Sequence, residues 1–113
     1  MAFAENPHNF TDVDSKEKAI RLVEEGRLVP ILLFPAELGG PEASQNTVYV
    51  PPETRDIQTQ IIGTLIRFVE EGLIDNLNAE PEYKGNSFVP SRIHMRTSHS
   101  GKPGQFNPTI EIW

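Results

Sequence analysis

The chain of 113 residues contains no cysteine. That excludes a disulfide framework, a thiolate metal site and a cysteine nucleophile, and it fits a cytoplasmic protein. No run of 18 apolar residues occurs, so no membrane-spanning helix is expected. The opening Met1-Ala2-Phe3-Ala4-Glu5-Asn6-Pro7 lacks the basic and apolar regions of a signal peptide. Tryptophan occurs once, at Trp113. Bases are few: 10 Lys and Arg stand against 16 Asp and Glu, for a net charge of −6. Such a chain is repelled by nucleic acid and by anionic membranes unless its bases gather in one place.

They do gather. Residues 1–83 carry 15 acids and 6 bases, a charge of −9, whereas residues 84–113 carry 1 acid and 4 bases, a charge of +3. A basic segment follows an acidic body. Nucleic acid remains a poor partner, because four bases against that body make a weak field and no stacking motif accompanies them.

The length suits one domain. Hydrophobic residues make up 37%, a modest share, but they fall in periodic runs, as in a folded chain. Residues 1–13 read as a flexible arm, pinned by Phe3 or Phe10, before a single domain over 14–113. Asp14 and Glu17 resemble a capping box that opens a helix with Ala19, Ile20, Leu22 and Val23 on its apolar side. Gly26 is placed to end it. Leu28 to Phe34 is a strand, with Pro30 near its start or on an edge. Residues 36–46 form a long loop, and Thr47 to Val50 a second strand.

A second helix runs from about Glu53 to Glu71, with Ile57, Ile61, Leu65, Phe68 and Val69 at helical spacing. Gly72 caps it, and Gly63 invites close approach by another element. Three strands follow: Leu73–Glu82, Ser87–Ser98 with a bend at Pro90, and Pro108–Trp113. Lys84-Gly85-Asn86 and Ser100 to Gly104 are turns. The order α-β-β-α-β-β-β argues for an α+β fold, two helices on one face of a mostly antiparallel sheet.

One internal echo appears. Ile20-Arg21-Leu22-Val23-Glu24-Glu25-Gly26 returns as Ile66-Arg67-Phe68-Val69-Glu70-Glu71-Gly72. It marks either a duplicated αββ unit, over 14–51 and 53–97, or two helices that reach the same ending independently. Both copies place glutamates in a last helical turn, where the helix dipole disfavours anions. Solvent screening, a shared acidic patch or the basic strand is expected to compensate.

That strand carries Arg92, His94 and Arg96 on alternate positions, so all three share a face and Ile93 and Met95 point inward. His99 and Lys102 follow. The stripe suits a phosphate or carboxylate, and it equally resembles the solvated face of an amphipathic strand. His94 and His99 with Ser98 and Ser100 include types used in catalysis, but no orienting carboxylate is near in sequence except Glu82 and Glu111. The Ser100 to Gly104 stretch lacks the pattern of a phosphate loop. His8, His94 and His99 lack metal-site spacing, and no cofactor is expected. Leu38 is the one large apolar residue of the long loop and its expected anchor on a partner. Trp113 is either an interface anchor or a cover for the core beneath the arm.

The leading expectation is a non-enzymatic protein-binding module, such as an acidic inhibitor or immunity-type protein acting on a basic partner. A homo-oligomer is the other partner considered. The alternative is an anion- or small-ligand-binding pocket, with catalysis as its extension, on the strand of Arg92, His94 and Arg96.

Overall fold

The computed structural model describes residues 9–104 and 106–113. Most of the expected arm, with Phe3 and His8, lies outside the described residues. Helix α1 spans Lys16–Glu24. Its N-cap is Ser15 rather than Asp14: Ser15 is still extended, and its hydroxyl accepts from the Lys18 N–H at 3.2 Å. A capping oxygen accepts from the N–H two or three residues on, as Ser15 does from Lys18. Asp14 instead pairs with Lys18 Nζ at 2.8 Å. Ala19 is fully buried, whereas Ile20, expected on the apolar side, is 40% exposed.

Strands β1 (Val29–Leu32) and β2 (Thr47–Val50) pair antiparallel, with Pro30 opposite Tyr49. The Leu33 N–H donates to the Asn46 carbonyl. The odd residues of β1 therefore bond β2, and the nitrogen of Pro30 faces the free edge, where no hydrogen bond is lost. The segment between the strands is ordered by two 3-10 turns, Ala36–Leu38 and Ser44–Asn46. The buried Asn46 carboxamide stitches it: it accepts from the Phe34 N–H and donates to the carbonyls of Phe34 and Pro41. Gly40 packs against the Phe34 carbonyl, where any Cβ would collide.

Helix α2 spans Pro52–Glu70, with proline in its first turn, where the missing N–H costs nothing. Its buried face is Thr54, Gln58, Ile62 and Leu65. This face is rotated from the expected stripe, and Ile57 and Val69 are 43% and 45% exposed. Gln58 explains the rotation, since its Nε2 donates to the Leu32 carbonyl at 2.7 Å and so covers the outer edge of β1. Gly63 faces open space, so the expected close approach does not occur there.

Both helices end in the same backbone motif. Gly26 and Gly72 take φ of +76° and +72°. Their N–H groups donate to Val23 and Val69, and the next residues, Arg27 and Leu73, donate to Leu22 and Phe68. These are paired Schellman caps. The buried residues Leu28 and Ile74 follow at the same distance. Beyond that point the units diverge: each helix leads into an antiparallel pair, but β1 and β2 have 4 residues each, whereas β3 and β4 have 8 and 10.

Strand β3 (Asn76–Tyr83) pairs with β4 (Pro90–His99), whose other edge takes β5 (Lys102–Pro103) and β6 (Thr109–Glu111). The antiparallel strands thus form a two-stranded and a four-stranded sheet, with β4 central in the latter. The strand expected from Ser87 begins only at Pro90, because Ser87 and Phe88 turn toward the N-terminal segment. Ser87 Oγ donates to the Phe10 carbonyl and the Phe88 N–H donates to Val13. The inner face of β4, including Ile93 and Met95, closes the core with Leu28, Val50, Leu65 and Ile110.

Candidate functional site

Alternation along β4 places Arg92, His94 and Arg96 on the outer face of the four-stranded sheet, opposite the buried Ile93 and Met95. The cross-strand register then decides the fate of each cation. Arg92 lies between Glu82 on β3 and Glu111 on β6. Its Nη2 is 3.2 Å from Glu111 Oε1, and its Nε is 3.9 Å from Glu82 Oε2. That Nε is shielded from solvent and makes no hydrogen bond, so the glutamates hold it electrostatically.

His94 is fixed on both ring nitrogens. Nε2 lies 2.8 Å from Glu82 Oε2, and Nδ1 lies 3.2 Å from Thr109 Oγ1. A carboxylate only accepts, so Nε2 carries a proton and, in the neutral ring, Nδ1 accepts from the threonine hydroxyl. The hydrogen bond from His94 holds the Glu82 carboxyl below its ordinary value; slight burial opposes this, and the charge of Arg92 adds to it. Glu82, one of the two carboxylates nearest to His94 in sequence, is thus its orienting carboxylate, brought there by strand pairing. The arrangement Glu82, His94, Thr109 orders a histidine and a hydroxyl in line.

The other end of the stripe differs. Arg96 lies opposite Asn78, a neutral amide, and has no ion pair or hydrogen bond among the described residues. On its far side the sheet edge is interrupted between β5 and β6. The chain there turns inward so that Phe106 packs edge-on against Phe68 of α2, with ring centroids 5.7 Å apart. The Asn107 carboxamide fills the gap, accepting from the Thr97 N–H at 2.8 Å. The detour leaves a cavity of about 520 Å³ lined by His94, Arg96, Ser98, Asn107 and Thr109 among others.

Arg92, His99 and Lys102 do not line that cavity. His99 and Lys102 are exposed and face each other across a two-residue turn, Ser100-Gly101. Both turn residues have positive φ, 51° and 80°, as in a hairpin and not a phosphate loop. Leu38 is half-buried against the core, so its side chain already has an internal contact. Trp113 is partly buried too: its Nε1–H donates to the Val89 carbonyl and its ring meets Phe10 edge-on, with Lys84 over its face. The long loop meets α2 through its first turn, and Glu42 to Ser44 border a hollow with β1 and β2.

A second surface escaped the sequence reading. Tyr83 and Phe88 flank the turn after β3 and are 44% and 43% exposed. They share a hollow of about 360 Å³ with Gly85, Asn86 and Ser87. A second hollow joins them to Tyr49, Thr47 and Ser44. A third continues from Tyr49 to Pro30 and to Glu42 of the long loop. The three hollows share Tyr49, Tyr83 and Phe88 among their walls, with Lys16 and Glu42 as their charged lining residues, and together they make an aromatic groove from Phe88 to the loop. The available signal was alternation: it puts Tyr83 on the side of Leu77, but Tyr83 ends β3, where the register with β4 shifts to Pro90.

The helix-end glutamates Glu24, Glu25, Glu70 and Glu71 are exposed, and none pairs with β4 among the described residues. Arg21 and Arg67 in the same last turns offset the dipole. Among the described residues no three His, Asp or Glu side chains converge as metal ligands, and no helix is long and apolar enough to cross a membrane. Comparison with protein-family models, with curated proteins and with solved structures finds no match.

Proposed function

We propose that the protein is a non-enzymatic protein-binding module that docks a basic partner along the aromatic groove of Tyr49, Tyr83 and Phe88. The observation that carries this reading is the exposure of Tyr83 and Phe88, both above 40%, where they line the same two hollows. Large aromatics anchor interfaces because they bury much area at little entropic cost. The long loop supports the same reading, since Glu42 and Ser44 form the far wall of the groove. The net charge of −6 favours a basic partner and fast association with it. An inhibitor or immunity-type protein is the concrete form of such a module.

The stripe of Arg92 and His94 favours no anion, because its own glutamates neutralise it. The test is affinity capture at low salt with the wild type and with the double variant Tyr83→Ser, Phe88→Ser. The expected result is a basic protein retained by the wild type, released by salt and absent from the variant. Equal capture by both, or capture by neither, overturns the proposal.

A further inference from the structure

We infer that the cavity beside Arg96 is a binding site for a small oxyanion, a phosphate or carboxylate group, independent of the aromatic groove. Neighbouring side chains change from acid to amide along the outer face of the sheet. On β3 they read Glu82, Glu80, Asn78 and Asn76 opposite Arg92, His94, Arg96 and Ser98. On the other side Glu111 and Thr109 of β6 give way to Asn107. Arg92 is therefore flanked by two carboxylates, and Arg96 by two carboxamides. The same residue type is neutralised at one end of the strand and left without a counter-ion at the other.

The carboxamide of Asn107 is committed to the Thr97 N–H and the Gly104 carbonyl, so it does not compete for the guanidinium. Glu80 is the nearest acid along β3, and it accepts from Asn78 instead of pairing with Arg96. Asp75, at the same end of the sheet, accepts from the Ser100 N–H. Ser98 and Arg96 share the outer face and both line the cavity, so a hydroxyl stands beside a planar fork of five donors.

The experiment is an NMR amide-shift titration of the full chain with inorganic phosphate and, separately, acetate. The expected result is saturable shifts at Arg96, Thr97, Ser98 and Gly101 with at least one of the two; the tighter binder shows whether the site takes a phosphate or a carboxylate. Arg96→Gln is expected to weaken binding by about tenfold or more, as loss of charge-assisted bonds requires. Arg96→Lys, which keeps the charge but not the fork, weakens it less. Arg96 is exposed and makes no internal bond, so the core signals of Ile93 and Met95 should stay in place. Arg55→Gln, the same charge change on α2, should leave binding unaltered. Shifts that do not saturate, affinity unchanged in Arg96→Gln, or equal loss in Arg55→Gln overturn the inference.

Discussion

The indole N–H of Trp113 donates to the Val89 carbonyl at 3.0 Å, and its ring stands edge-on to the buried Phe10, 5.9 Å between centroids. The last residue of the chain thereby ties β6 to the segment before α1. Trp113→Ala should cost about 3 kcal/mol, the low end for a lost aromatic, because the ring is only partly buried. Trp113→Phe keeps the ring but orphans the carbonyl, and should cost about 1 kcal/mol. Urea unfolding followed by circular dichroism measures both. Equal and negligible losses would mean that the indole packs loosely.

The two Schellman caps predict a matched pair. Gly26 and Gly72 have positive φ and nothing within 4 Å of an added Cβ. Alanine at either therefore meets backbone strain alone, about 1 kcal/mol in each case. Gly40→Ala is a different problem, because its Cβ meets the Phe34 carbonyl. It should cost more than either cap variant, and the excess should appear as loosening of residues 34–46 in hydrogen exchange. Three equal values would contradict this distinction.

Gln58 makes a further prediction. It is 6% exposed and supplies the Leu32 carbonyl with its donor. Gln58→Leu preserves the volume but leaves that carbonyl unpaired, which costs about 2 kcal/mol. Thermal unfolding checks it. A stable leucine variant would show that water reaches the Leu32 edge.

The pH dependence follows from Glu82. Its folded form favours the ionised carboxylate, so the folded chain binds fewer protons than the unfolded chain below the ordinary value of 4.5. The stabilisation is complete above that value and is lost as pH falls through the lowered one. Asp14, held down by Lys18, acts in the same direction. Both groups are exposed, so the effect is small and weakens with salt. Glu82→Gln should flatten the acid limb of a stability-versus-pH curve at low salt. An unchanged limb would remove the bond to His94 from the account.

The parts of the fold that rest on local chemistry were legible in the sequence. Gly26 and Gly72 named the helix ends, Pro30 pointed to a strand start or an edge, and alternation put Arg92, His94 and Arg96 on one face. What was not legible depended on cross-strand register. Nothing near His94 in sequence says that Glu82, opposite Arg92, will reach it diagonally, or that Asn78 rather than an acid will face Arg96. The rotation of α2 was hidden for a similar reason. Ile57 and Gln58 compete for the inward position, and the unpaired carbonyl of Leu32 decides it. The groove of Tyr49, Tyr83 and Phe88 needed tertiary structure too, because its residues come from two sheets and a turn.

The measurement closest to the central claim is the footprint of the captured basic partner, read by hydrogen–deuterium exchange on the full chain. Docking in the groove should slow exchange around Ser44–Tyr49 and Tyr83–Val89 and leave the outer face of β4 unchanged. A footprint confined to Arg92–Ser98, or to the helix ends at Glu24–Gly26 and Glu70–Gly72, would contradict it.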